Sequence, residues 1–110
     1  MSVSYLVSYA GTSADGNAFH ARYRDAHASI LRGMPGIESL ILYRPVAWRD
    51  PFSVNPGGLH LMAQLVFASS AALDAALASE ARRRARADFA SFPPFTGSVF
   101  HQAMESQVVF

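Results

Sequence analysis

The 110-residue sequence contains no cysteine and no lysine. The first absence excludes disulfide frameworks, thiolate metal sites and cysteine nucleophiles. The second leaves all nine basic positions to arginine; with abundant alanine, this bias points to a GC-rich, bacterial coding sequence. Charge is scarce too, at 15% of residues with a net charge of +1. So even a balance gives no electrostatic case for nucleic acid or an anionic membrane as partner. No apolar run approaches the roughly 18 residues that a bilayer crossing requires. The opening Met-Ser-Val-Ser-Tyr-Leu-Val-Ser-Tyr lacks a basic leader region and alternates like a strand, which argues against a signal peptide. The expectation is a cytoplasmic protein.

What is present is apolar: 51% of residues, enough for one core in a single domain spanning 1–110. Residues Val3 to Tyr9 alternate with period two and read as a first strand. Gly11 to Gly16 reads as a turn rich in N-caps. A helix follows to about Arg32, with Gly33 available as its left-handed closing residue and Pro35 forbidding continuation. Ile37 to Trp48 reads as a second strand, Arg49 to Gly58 as a Pro/Gly loop, and His60 to Phe67 as a third strand. Ser69 or Ser70 caps a second helical stretch that runs, with a break, to Phe89. Phe92-Pro-Pro-Phe95 ends it, and Thr96 to Val109 reads as the last strand. The order is β-α-β-β-α-β, an α+β chain with a four-stranded antiparallel sheet.

Two helices cover one face of such a sheet. Ile41-Leu-Tyr43 and Leu61 to Phe67 are nevertheless apolar at nearly every position, as strands covered on both faces are. A second copy packed sheet against sheet is the simplest cover, so a C2 homodimer is expected.

The first helix carries an apolar stripe of Phe19, Tyr23, Ile30, Leu31 and Met34, and one further member is a histidine. At about 100° per residue, His27 falls near 80° from Phe19, inside the stripe. A titratable ring placed there either closes a buried hydrogen bond or does chemistry. Burial favours neutral imidazole, the form that accepts a proton near pH 7. His27 is therefore the candidate acid/base.

His60 and His101, both on strands, are candidate partners for substrate; a satisfied or interfacial histidine is the alternative for each. Tyr5 and Tyr9 share one face of the first strand and could present phenolic hydroxyls, or be ordinary strand aromatics. Tyr23 belongs to the stripe itself. Trp48 and Phe52 lie where a loop could close over an apolar pocket, although Trp48 could equally pack at a strand end.

His20 and His27 are separated by about 10 Å of helix, too far for both to ligate one ion at about 2.1 Å, so no metal site is expected. A helix histidine can be a haem ligand, but no second signature accompanies it. Arg82-Arg-Arg84 with Arg86 reads as a solvated face, with Glu80 and Arg84 at i, i+4.

The Phe19-x3-Tyr23-x3-His27 pattern, the following Met34-Pro-Gly36, the Phe67-Ala-Ser-Ser70 junction and Asp88-Phe-Ala-Ser-Phe92 together resemble the EthD family. The likeness spans nearly the whole chain; the long Pro/Gly loop before His60 departs from the shorter connection expected there. The resemblance implies a ferredoxin-like subunit of a dimeric α+β barrel, with a pocket between sheet and helices and His27 at the family's helix-one histidine. It implies a small apolar or aromatic carbonyl or phenolic ligand, and, if the protein is an enzyme, cofactor-free cyclase, isomerase or dehydratase chemistry. A non-catalytic binding protein and a haem-dependent or cofactor-free monooxygenase are the alternatives, because relatives with this fold differ in reaction.

Overall fold

A computed structural model describes all 110 residues. Four strands, β1 (Ser2–Ser13), β2 (Ser39–Tyr43), β3 (Leu59–Phe67) and β4 (Phe95–Ser106), form one antiparallel sheet in the order β2-β3-β1-β4. This is the ferredoxin-like arrangement. β1 is central, pairing with β3 from Val3 opposite Phe67 and with β4 from Ser2 opposite Ser106.

β1 extends four residues past the strand read from the sequence, through Gly11 and into the expected turn. Gly11 pairs with Gly97, and both adopt positive φ, +143° and +146°. A Cβ at Gly11 would lie 2.1 Å from the Thr96 carbonyl oxygen. Two facing glycines thus let the β1–β4 ladder continue where side chains would collide. β2 is shorter than expected, ending at Tyr43 rather than Trp48. Pro45 cannot donate to the ladder, and residues 44–58 run along the surface outside regular structure. β4 likewise stops at Ser106, short of Val109.

The first helical segment is three pieces in register: α1 (Gly16–Arg22), a π turn (Tyr23–His27) and α2 (Ala28–Leu31). Asp15 caps α1, accepting from the Ala18 N–H at 3.0 Å. In the π turn the Ala28 N–H reaches back to the Tyr23 carbonyl. In a regular helix, residues four apart drift by 40°, so Phe19, Tyr23, His27 and Leu31 would spread over about 120°. A wider turn advances less per residue and returns Leu31 to the stripe. Phe19, Tyr23, His27, Leu31 and Met34 are all buried.

The helix does not end on a left-handed Gly33. The Gly33 and Met34 N–H groups bond three residues back, and the positive φ falls at Gly36, at +75°. The second helical stretch is α3 (Ser70–Leu77) and α4 (Glu80–Asp88), each started by a serine, Ser69 and Ser79.

All helices lie on one face of the sheet. Val7, Tyr9, Leu61, Ala63, Leu65 and Phe67 meet the helical stripes there. Phe19, wholly buried, anchors an aromatic cluster with its ring 4.9 Å from Phe92 and 5.4 Å from Tyr9. The other sheet face has no helix over it. There Tyr43 donates to Gln64, which donates to Ser4, which meets Ser106, flanked by exposed Ile41, Phe100 and Met104.

Candidate active site

α4 is built around small residues. Ala81 and Ala85 are buried, and Asp88 continues their i, i+4, i+7 line toward α2. Its carboxylate is 7% exposed and engaged twice. Oδ1 is ion-paired with the Arg22 guanidinium, and Oδ2 lies 3.0 Å from Nδ1 of His27. A carboxylate only accepts, so Nδ1 carries the hydrogen and Nε2 is left with its lone pair. No hydrogen-bond partner within the protein takes up Nε2. Arg22 Nε is buried without a partner, a local cost of about 1–3 kcal/mol.

The electrostatics of the triad follow from burial and pairing. Burial pushes the Asp88 carboxyl up, but Arg22 and His27 outweigh it and hold the group below the ordinary carboxylate value. Burial pulls the His27 imidazole down, and Asp88 only partly restores it, so the ring titrates below 6.5. Near neutral pH the arrangement is a neutral imidazole, a carboxylate and a guanidinium.

His27 borders a cavity of about 200 Å³ between the helices and the sheet. An apolar site of about 150 Å³ admits benzene, so this space suits one or two fused rings. It lies below the range of drug-sized pockets. Val7, Leu31, Leu65 and Val99 supply apolar wall, and Tyr5, Tyr9, Tyr23 and His101 supply polar edges.

The Tyr9 and Tyr23 rings are 6.1 Å apart, and Tyr23 packs 4.6 Å from His27. Neither hydroxyl is hydrogen-bonded within the protein. Burial raises the Tyr9 phenol to about 12 despite Arg86, and burial with Tyr9 beside it holds Tyr23 well above 10. Both remain hydrogen-bond donors at any ordinary pH. The His101 imidazole is held below 6.5 by burial and by Arg82 and Arg86.

Tyr5, Tyr23, His27 and His101, singled out from the sequence, therefore line one cavity. His60 and Trp48 do not. His60 sits at a β3 irregularity, 3.1 Å from Ser13 Oγ and edge-on to Phe19, beside a separate recess with His20 and Arg44. Trp48 is 58% exposed in the 44–58 segment. No three His, Asp or Glu side chains cluster at metal-binding range.

Neither Asp88 nor Arg22 is a site candidate in the sequence, where Asp88 enters only through the Asp88-Phe-Ala-Ser-Phe92 motif, although one signal was available. Asp88 is the polar member of the Ala81-Ala85 stripe, as His27 is of its own. The arginine run is not one uniform face: Arg83 pairs outward with Glu80, whereas half-buried Arg82 and exposed Arg86 border the cavity.

A family model for the EthD domain matches residues 12–93. The chain belongs to the EthD family. Among solved structures, an ethyl tert-butyl ether degradation (EthD) family protein from Bacillus halodurans is similar at 20% identity and TM-score 0.75, covering 97% of this chain and all of that one. An EthD-like protein from Ralstonia eutropha is 18% identical, with TM-score 0.74 over 99% and 95% of the two chains. The cofactor-independent oxygenase SnoaB from Streptomyces nogalater shares the fold at 13% identity and TM-score 0.63, over 98% and 95%. Comparison with curated proteins returns no match.

Proposed function

We propose that residues 1–110, as a single EthD-like domain, bind a small aromatic carbonyl or phenolic compound in the cavity and move a proton on it without a cofactor. One observation carries this reading: His27 holds Nδ1 on Asp88 while Nε2 stays free beside the cavity. Nε2 accepts a proton from carbon next to a carbonyl, and Asp88 stabilises the imidazolium that forms. The Tyr9 and Tyr23 hydroxyls donate to the oxygen on which negative charge develops. Tyr5 and His101 border the ring of the ligand. Nothing in the geometry involves His60 or Trp48 in that step.

The experiment is proton exchange in deuterated water, followed by NMR, with 2-tetralone as the probe. The native protein should accelerate loss of the protons next to the carbonyl, and His27→Asn should lower that rate at least 100-fold while remaining folded. No acceleration, or acceleration that survives the substitution, overturns the assignment. The SnoaB likeness favours a second reading in which the deprotonated ligand reacts with dioxygen. One oxygen atom would then enter a CH2 carbon as a carbonyl, and the other would leave as water with the two hydrogens. Oxygen uptake stoichiometric with oxidised product distinguishes it from proton transfer alone.

The assembly we infer is a cytoplasmic homodimer through the open sheet face. Ile41, Tyr43, Phe100 and Met104 are 40–58% exposed there, beside a hydrogen-bonded polar row that a second copy could extend. No helix is long and apolar enough to cross a membrane.

A further inference from the structure

We infer that the ligand carries an anionic group, a carboxylate or an acidic phenolate, and that Arg82 and Arg86 hold it at one end of the cavity. This deepens the proton-transfer reading and rests on the same cavity.

The two arginines stand i, i+4 on α4, so they are neighbours on one helix face, and both line the cavity. Neither has a carboxylate within 4.0 Å. The two other acids of α4 are committed, Glu80 to Arg83 and Asp88 to Arg22 and His27. Two positive charges thus border a mostly apolar space that has no carboxylate in its lining.

Arg82 is also placed. Its guanidinium stacks over the Tyr5 ring at 5.6 Å and reaches the Tyr5 hydroxyl at 3.5 Å. Tyr5 in turn lies 5.9 Å from His101. Stacking on an aromatic face leaves the edge of a guanidinium, with its N–H donors, free for a planar anion. Burial, and after it the same positive field, depresses the His101 imidazole, so that ring adds no third charge.

Six residues, about 9 Å of helix rise, separate Arg82 from Asp88, and two residues, about 3 Å, separate Arg86 from it. One or two fused rings span the longer distance. A ligand gripped by its anion at the Arg82 end, with the long Arg86 side chain reaching the same group, therefore presents its far edge toward His27. Low-dielectric walls strengthen such pairing relative to water and favour an anion over its neutral counterpart.

The test compares two bicyclic probes of similar shape by calorimetric titration into the native protein, 2-naphthoate and the neutral 2-naphthalenemethanol. Naphthoate should bind at least tenfold more tightly, and raising NaCl from 50 to 500 mM should weaken it severalfold without weakening the alcohol. In Arg82→Gln/Arg86→Gln the tenfold preference should disappear. Equal binding of the two probes, no binding of either, or a preference that survives the double substitution overturns the inference. The probe and salt comparisons need only the native chain, so they decide the matter even if the variant folds poorly. Tetralone exchange reads a different event. Exchange without anion preference removes this inference alone, and anion preference without exchange removes proton transfer alone.

Discussion

Replacing Asp88 by Asn keeps the shape of the side chain and removes its charge, leaving Arg22 and His27 facing an amide. Breaking a fully buried ion pair costs about 3–5 kcal/mol. Asp88 and His27 are that buried, at 7% and 8%, but the Arg22 side chain is 34% exposed and recovers much of its hydration. The expected loss is therefore about 2 kcal/mol, nearer the about 1.5–3 kcal/mol of a hydrogen bond to a charged group. For a chain of this length that lowers Tm by about 8 °C.

The pH dependence makes the test specific. In the native fold both groups titrate below their unfolded values, 6.5 for His27 and 3.8 for Asp88. The unfolded chain therefore binds more protons, and stability falls with acid in two steps. One begins below about pH 6.5 and ends at the folded value of His27; the other begins below about pH 3.8. In D88N the second step vanishes. The first extends further downward, because losing the neighbouring negative charge lowers the His27 pKa again. Urea unfolding between pH 3 and 8, with an NMR titration of the His27 ring, measures both. A D88N chain that melts within about 2 °C of the parent with an unchanged His27 titration would refute the triad.

Three further outcomes follow from the same geometry. Tyr9→Phe/Tyr23→Phe should lower tetralone exchange about 100-fold with little change in Tm, since neither hydroxyl is bonded within the fold; an unchanged rate excludes them as donors. Gly97→Ala should destabilise by about 2–3 kcal/mol, because its Cβ would sit 2.0 Å from the Ala10 carbonyl oxygen at φ +146°; an unchanged urea midpoint would show that the strand pair simply shifts. Phe100→Glu, on the open sheet face, should turn a dimer into a monomer by sedimentation while leaving monomer secondary structure intact; a dimer that persists places the interface elsewhere.

Period and punctuation carried much of the fold. The alternation in β1, the apolar run of β3 and the serine caps each put an element in the right order. Their ends were harder to read, because long-range pairing decides them. Gly11 looks like turn chemistry until Gly97 is known to lie opposite, and Ile37 to Trp48 looks like one strand although its pairing stops at Tyr43, two residues before Pro45, with Leu59 to Leu61 of β3 still available. The site divides in the same way. His27 was visible because a polar residue interrupts an apolar stripe within one helix. Asp88 interrupts another, but their meeting depends on how α4 packs against α2, 61 residues away in sequence. The half-burial of Arg82 was hidden for the opposite reason. Charge reads as solvent-facing, whereas here the Arg82 guanidinium lies over the Tyr5 ring.

The π turn at Tyr23–His27 makes this helix unevenly sensitive to changes of length. The wide turn holds one residue more than an α turn, so deleting Ala26 would close it into a regular helix while Ile30, Leu31 and Met34 keep their direction relative to Phe19. A deletion in the regular turn of α1 would instead rotate every later residue by about 100° and carry His27 away from its carboxylate. Tolerance of single-codon deletions should therefore be local, lowest in α1 and highest at the wide turn itself.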